Sequence, residues 1–174
     1  MLKLDNLTEA LNGFANNVIE DSKQNLIDRK KVSSGKLLSS LKNNGAKVTK
    51  RAIELNINMA EYGAYIDKGV SGVKVKYNTP YSYTNKMPPP SALDVWIVRK
   101  GIAPRTKTGQ FLSRKSIQFA IARSIFFNGI KPTNFLSDAV KKNFNLLPDI
   151  VQKSFIVDAQ KAIDFIIKSN FNNK

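Results

Sequence analysis

The chain has no cysteine and no histidine. Without cysteine there is no disulfide framework and no thiolate metal site. Without histidine the commonest general base and the commonest metal ligand are missing. Long hydrophobic runs are missing as well, so the sequence predicts no transmembrane helix. The opening Met1-Leu2-Lys3-Leu4-Asp5-Asn6-Leu7 lacks the basic-then-apolar order of a signal peptide, and a cytosolic origin is expected. Acid is scarce: 13 Asp and Glu stand against 28 Lys and Arg, a formal net charge of +15.

What is present is enough for one ordinary domain. The chain has 174 residues, 42% of them hydrophobic, which fits a globular class rather than a disordered one. The excess charge is concentrated. Lys68 to Ser137 holds 12 Lys and Arg and one acid, Asp94, a net of +11; the rest holds 16 against 12, a net of +4. Such a balance predicts a polyanionic partner: nucleic acid, an anionic membrane or an acidic protein surface.

Leu4, Leu7, Leu11, Phe14, Val18 and Leu26 recur at three and four, which predicts a helix from about Leu7 to Leu26 with one apolar stripe. Asn6 followed by Glu9 has the spacing of a capping box. Asp28 to Lys31 is a polar break, and Ser34-Gly35 reads as a turn. Leu37, Ser40 and Leu41 begin the next packed piece, and Asn43-Asn44-Gly45 is a strong turn signal. From Ala46 to Met59, Ile53, Leu55, Ile57 and Met59 alternate with polar residues: strand, in one piece or as two short strands around Lys50-Arg51.

Tyr62, Tyr65 and Ile66 fall on one face of a helical turn that Gly69 ends in a left-handed conformation. The tyrosines read as core caps rather than interface anchors. Ser71 to Pro90 is mostly loop, with a short strand at Val73 to Tyr77. Its interleaved lysines and Tyr77, Tyr81 and Tyr83 suit either a functional loop or base stacking with phosphate contact. Ser91 is the expected N-cap of a helix to Lys100, with Trp96 in the core and Gly101 closing it. Ala103 to Lys115 is a basic, turn-rich loop. Its Thr108-Gly109-Gln110 lacks the spacing of a phosphate loop.

Ser116 to Asn128 reads as a helix, apolar on more than one side and therefore well buried, ended by Gly129. A bend at Ile130 to Leu136 leads into a short helix through Phe144. Pro148 and Asp149 open the last helix, to about Lys168, with a stripe of Gln152, Ile156, Ala159, Ile163, Ile166 and Ile167 beside Phe155. The polar tail from Ser169 to Lys174 is expected to fray. The fold class is α+β: a small antiparallel sheet packed against several amphipathic helices, with a long basic loop-rich insertion at about residues 71–112 in a single domain of 174 residues.

The candidate DNA- or partner-facing basic residues are Lys74, Lys76, Lys86, Arg105, Lys107, Arg114 and Lys115. Tyr77, Tyr81 and Tyr83 are candidate interface aromatics. No catalytic, cofactor or metal residue is expected. Asp67 and Asp94 flank the basic segment without a readable ligand partner, and an enzyme is the least expected class.

Three stretches, in order, resemble one family. Ser34-Gly35-Lys36-Leu37-Leu38-Ser39-Ser40-Leu41 resembles the T-G-x-L-R-x-S-I signature of tailed-phage tail-completion and head–tail connector (neck) proteins. Ser34 stands for the threonine and Leu38 replaces the arginine. Tyr62 to Val70 resembles that family's Y-A-x-Y-V-E-F-G-T. There Asp67 stands for the glutamate, and Lys68 and Val70 depart from it. Lys131 to Ala139 is similar to its late P-F-L-R-P-A element, in a pattern carried from Arg123 to Phe135. The segment Ser71 to Leu112 is longer than the family's usual linker. The resemblance implies a virion structural protein in the neck or tail region, with no catalytic residue to carry over. It implies a homo-oligomeric ring between portal and tail, bound to portal, tail or other neck proteins. The basic middle would face packaged DNA or an acidic partner, with no membrane involved. The alternative is a free, sequence-nonspecific nucleic-acid-binding protein.

Overall fold

A computed structural model describes residues 4–49 and 52–171, with side chains through residue 166. Among the described residues there are seven α-helices, one 3-10 turn and one two-stranded antiparallel sheet, so the α+β class holds. The helices are α1 (Asp5–Asp28), α2 (Lys36–Ser40), α3 (Gly63–Lys68), α4 (Asp94–Arg99), α5 (Arg114–Asn128), α6 (Phe135–Phe144) and α7 (Leu147–Phe171). The strands are β1 (Lys42–Val48) and β2 (Ile53–Asn58), and the 3-10 turn is Pro90–Leu93. The chain divides into two compact units. Unit 1 is Met1–Asn25, Ser39–Met59 and Phe135–Lys174; unit 2 is Leu26–Leu38 and Ala60–Asn134.

In unit 1 the α1 stripe packs as its periodicity predicts. Leu7, Leu11, Phe14 and Val18 are buried, and Phe14 and Val18 form a cluster with Ala139 of α6. Leu55 and Ile57 of β2 pack against the same cluster, so one face of the sheet is covered by helix. The two-strand reading of residues 46–59 is the one that holds. However, β1 begins at Lys42, and Asn43-Asn44-Gly45 is no turn between elements. It is an irregularity inside β1, where the register shifts between Asn43 and Ala46. Gly45 takes φ 89° there, and its N–H donates to Asn43 Oδ1 at 2.9 Å. The bulge is held from α1, because Asn12 Oδ1 accepts the Ala46 N–H at 2.9 Å.

The N-terminus of α1 departs from the expected capping box. Its cap is Asp158, 152 residues away on α7. The carboxylate accepts the backbone N–H groups of Asn6 and Leu7, at 3.2 and 3.0 Å, and the Asn6 amide as well. An anion here satisfies orphan amides and complements the positive end of the helix dipole.

Helix α7 runs from Leu147 through Phe171, so backbone helix extends past Lys168 into the expected tail; residues 172–174 lie outside the described residues. Its inner face is Leu147, Ile150, Val151, Ser154, Asp158, Ala159 and Ala162. Of the expected stripe, Ala159 is half-buried, but the larger residues point outward instead. Ile156, Ile163 and Ile166 are 46%, 56% and 56% exposed, and Gln152 is exposed too. The side chain of Ile167 lies outside the described residues. Asp158 turns this face of α7 toward α1, and Leu147 and Ile150 pack on the core cluster from it.

Unit 2 is organised by backbone. Ser71, 4% exposed, sits at the centre of a knot. Its N–H donates to the Tyr81 carbonyl and its carbonyl accepts the Tyr83 N–H, both at 2.8 Å. Its hydroxyl oxygen accepts the Tyr77 N–H at 2.9 Å, and Thr79 Oγ1 donates to the Gly69 carbonyl at 3.0 Å. The predicted strand at Val73 to Tyr77 does not form. The amides of Val73 and Lys74 instead donate to the carbonyls of Phe126 and Phe127, at 3.0 and 2.8 Å. The end of α5 leaves those carbonyls without helical donors, and the loop supplies them.

The same loop is clasped to the segment after α5. Val70 and Ile130 form an antiparallel bridge with reciprocal 2.8 Å bonds, and Thr133 Oγ1 donates to the Ile66 carbonyl at 2.7 Å. This crossing leaves no room for side chains. A Cβ on Gly129 would fall inside contact distance of the Val70 carbonyl oxygen and 2.5 Å from the Gly72 nitrogen. Gly69 (φ 72°, ψ 180°) and Gly129 (φ 74°, ψ −167°) end α3 and α5 in a region reached essentially only by glycine, not in the left-handed helical conformation expected for Gly69. The chain has to leave each helix extended in order to form the bridge.

Candidate functional site

The charge is unevenly shared. Unit 2 holds 16 Lys and Arg against 4 Asp and Glu, a net of +12, and unit 1 holds 12 against 9, a net of +3. All ten candidate residues lie in unit 2. They do not form one patch.

Arg105 belongs to a small turn-back of the chain. It bridges Phe111, lays its guanidinium 3.8 Å from that ring's centroid, and donates to the Gly109 carbonyl at 2.9 Å. Lys107 is exposed at its tip. Lys76 is exposed, but its ammonium folds back 2.8 Å from the Gly72 carbonyl oxygen. Lys86 is exposed just after a bend at Thr84 and Asn85. Arg114 lies 3.6 Å from Asp94 Oδ1, which also accepts from Gln118 Nε2 at 2.6 Å. Asp94 therefore orients the start of α5. Asp67 is buried at 3% exposure in α3. Among the described residues no three Asp or Glu side chains gather in a way that could hold a metal ion.

The tyrosines divide differently from expectation. Tyr62 and Tyr65, read as core caps, are 43% and 45% exposed. The helix is one short turn and its buried positions are Gly63 and Asp67, so the rings project outward. Tyr77, Tyr81 and Tyr83 are half-buried and hold the loop together. Tyr81 meets Tyr65 at 4.4 Å between ring centroids, and Tyr83 meets Phe126 edge-on at 6.5 Å. Burial pushes the Tyr83 hydroxyl above its ordinary value of 10.0, which keeps it a neutral donor.

Trp96, expected in the core, is 39% exposed; Ile97 is the residue of α4 that is buried. Ser91 lies within the 3-10 turn and makes no side-chain cap. Trp96 borders a groove of about 470 Å³ between Tyr62, Leu37 and Ile66, with Lys31 and Arg99 at its edge.

Helix α5 is the element the sequence described least well. Ser113 caps it, accepting the Ser116 N–H at 3.2 Å, and Gly129 ends it. Yet only Ile117 and Ala122 are buried, and Phe119 is 53% exposed. The outward face carries Lys115, Phe119, Arg123 and Phe127 at successive fourth positions. Lys74 Nζ and the Arg123 guanidinium lie 5.0 and 5.7 Å from the Phe127 ring centroid. With Phe119, Ser124 and Asn128 they line a shallow groove of about 460 Å³. Arg123, Phe119 and Phe127 were absent from the sequence-derived candidates. The signal was the four-residue alternation of cation and aromatic, which an apolar reading of the helix hides.

No family model, curated protein or solved structure matches the chain.

Proposed function

We propose that the chain is a virion structural protein of a tailed phage. In this reading it is a neck, connector or tail-completion subunit that assembles into a homo-oligomeric ring between portal and tail, with its basic unit facing DNA or an acidic partner. The observation that carries the reading is the clasp. Two of the three stretches that resemble the family, Tyr62 to Val70 and the segment from Arg123 to Phe135, meet through the Val70–Ile130 bridge and the Thr133–Ile66 bond. Short motifs far apart in sequence that pack as one unit are what a shared fold requires. A second support is the outward face of α7, where Phe155, Ile156, Ile163 and Phe165 are 45–73% exposed. Apolar area of this kind marks a surface that a partner covers.

The test is electron microscopy of the purified chain, alone and mixed with the portal of its phage. A closed ring is expected in one or both samples. Ile163→Glu with Phe165→Glu should dissociate it without loss of helical signal. A particle that stays monomeric and has no affinity for a portal overturns the reading.

A further inference from the structure

We propose that the outward face of α5 is a binding site for single-stranded nucleic acid, with Lys74, Lys115 and Arg123 on phosphates and Phe119 stacking a base. The inference goes beyond the ring reading, since neither the ring nor the portal enters it.

Four observations carry it. First, Lys115, Phe119, Arg123 and Phe127 recur every four residues along one helix face, so each step advances about 6 Å. Cations and aromatics alternate on one line, which is the composition of a single-strand groove. Second, α5 contains no Asp or Glu. The nearby Asp94 is engaged by Gln118 and Arg114, so no carboxylate of the helix competes for these cations. Third, Lys74 is pre-positioned. Its backbone N–H donates to the Phe127 carbonyl at 2.8 Å, and its ammonium rests over the Phe127 ring, which Arg123 also approaches. Cation–π contact holds both heads in place without neutralising them, which lowers the ordering cost of binding. Fourth, Phe119 stands 53% exposed between Lys115 and Arg123. A closed duplex keeps its bases stacked inside and makes no use of that ring, whereas an unpaired base has a face to lay on it.

The remaining basic candidates lack this arrangement. Arg105 is folded onto Phe111 and Gly109, and Lys76 onto Gly72. They provide the control.

The experiment is fluorescence anisotropy of the full chain with a labelled oligonucleotide of about twenty nucleotides, unpaired or annealed to its complement. Three phosphate contacts predict a log–log salt slope of about −2 for the single strand, or about a twentyfold loss between about 50 and about 200 mM salt. Lys115→Glu with Arg123→Glu should weaken binding at least about tenfold and flatten the slope by about 0.7 per removed cation. Arg105→Glu with Lys107→Glu makes the same change in net charge and should stay within about twofold of the parent. Phe119→Ala, at an exposed position, should cost about tenfold on the single strand and leave the duplex unchanged. Far-ultraviolet dichroism and Trp96 fluorescence check that each variant is folded. Equal losses in the two double variants would mean that only net charge matters and would overturn the site. So would binding to polyglutamate with none to either oligonucleotide, which would assign the face to an acidic protein. A silent Phe119→Ala with equal affinity for both oligonucleotides would overturn the single-strand assignment.

Discussion

The two units hold themselves together by different means. Among the described residues, unit 1 contains nine of the buried apolar side chains, from Leu7 to Ala139, eight of them on α1 and α6. Unit 2 contains six, scattered over four helices and the Val70 bridge, and carries a net charge of +12. Like charge at that density pushes a small unit apart. What opposes it is backbone bonding: the knot at Ser71, the amides closing the end of α5, and the glycine crossing. Side-chain burial can be varied by degrees, whereas a backbone crossing either fits or does not.

The sharpest way to break this comparison is Gly129→Ala. The added methyl meets the Val70 carbonyl and the Gly72 nitrogen, both of them backbone, and the φ of 74° is strained for alanine. A loss of about 3–5 kcal/mol is expected. The sole tryptophan, Trp96, lies in unit 2, so its fluorescence in a urea titration reads the effect there. Gly101→Ala is the matched control. Its φ is 62°, but nothing lies within 4 Å of the new methyl. Strain alone should cost about 1 kcal/mol. If the two variants were equally stable, the crossing would not be what holds unit 2.

The same contrast explains what could be read from the residues. The α1 stripe, the paired strands at β1 and β2, the C-terminal ends of α5 and α6 and the basic middle all follow from periodicity, glycine placement and counting. These are the places where side-chain pattern decides structure. The Ser71 knot was not legible, because backbone-to-backbone bonds leave no mark on residue choice beyond Gly69, Gly72 and Gly129. The Asp158 cap was not legible either, since its partner is 152 residues away. Tyr62, Tyr65, Trp96 and the α7 stripe failed for one further reason. Apolar character predicts that a face will be covered, and it does not say by which molecule. On α5 this error hid the candidate site, because the whole helix was expected to be well buried when the spacing of Phe119 and Phe127 with Lys115 and Arg123 pointed outward.

A smaller effect is expected at the polar joint between α1 and α7 in unit 1. Asp158 is 3% exposed, and burial alone would raise its pKa. Hydrogen bonds from the Asn6 side chain and from the Leu7 and Asn6 amides, with Lys161 nearby, outweigh burial and leave it below its ordinary 3.8. Asp158→Ala leaves the α1 amides unsatisfied and should cost about 2–3 kcal/mol. The pH dependence has a definite sign. A carboxylate lowered in the folded state stabilises fully above its unfolded value of 3.8, and the contribution is lost as pH falls from there through the folded value. Parent and variant stabilities should therefore differ at neutral pH and converge in acid. A constant difference across that range would mean that the charge of Asp158 is not what caps α1.

The smallest effect belongs to the other shifted carboxylate of unit 1. Asp21 is lowered first by the Lys142 ammonium, 2.8 Å from Oδ1, and next by Asn143, whose Nδ2 donates to Oδ2 at 2.7 Å. The two partners are not equivalent. Lys142 is 71% exposed on its side chain, so water and salt already screen it. Asn143 is buried at 7% and also donates to the Ala139 carbonyl at 2.9 Å. Lys142→Met should cost no more than about 0.5–1 kcal/mol, and that difference should vanish near 1 M salt. Asn143→Ala should cost about 1–3 kcal/mol at any salt, because it strips a buried network of its donor. Paired urea titrations at low and high salt separate the two. If the Lys142 effect persisted in high salt, the contact would not be a screened surface pair but part of the same packed network as Asn143, and unit 1 would rest on side-chain polar bonding as well as on apolar burial.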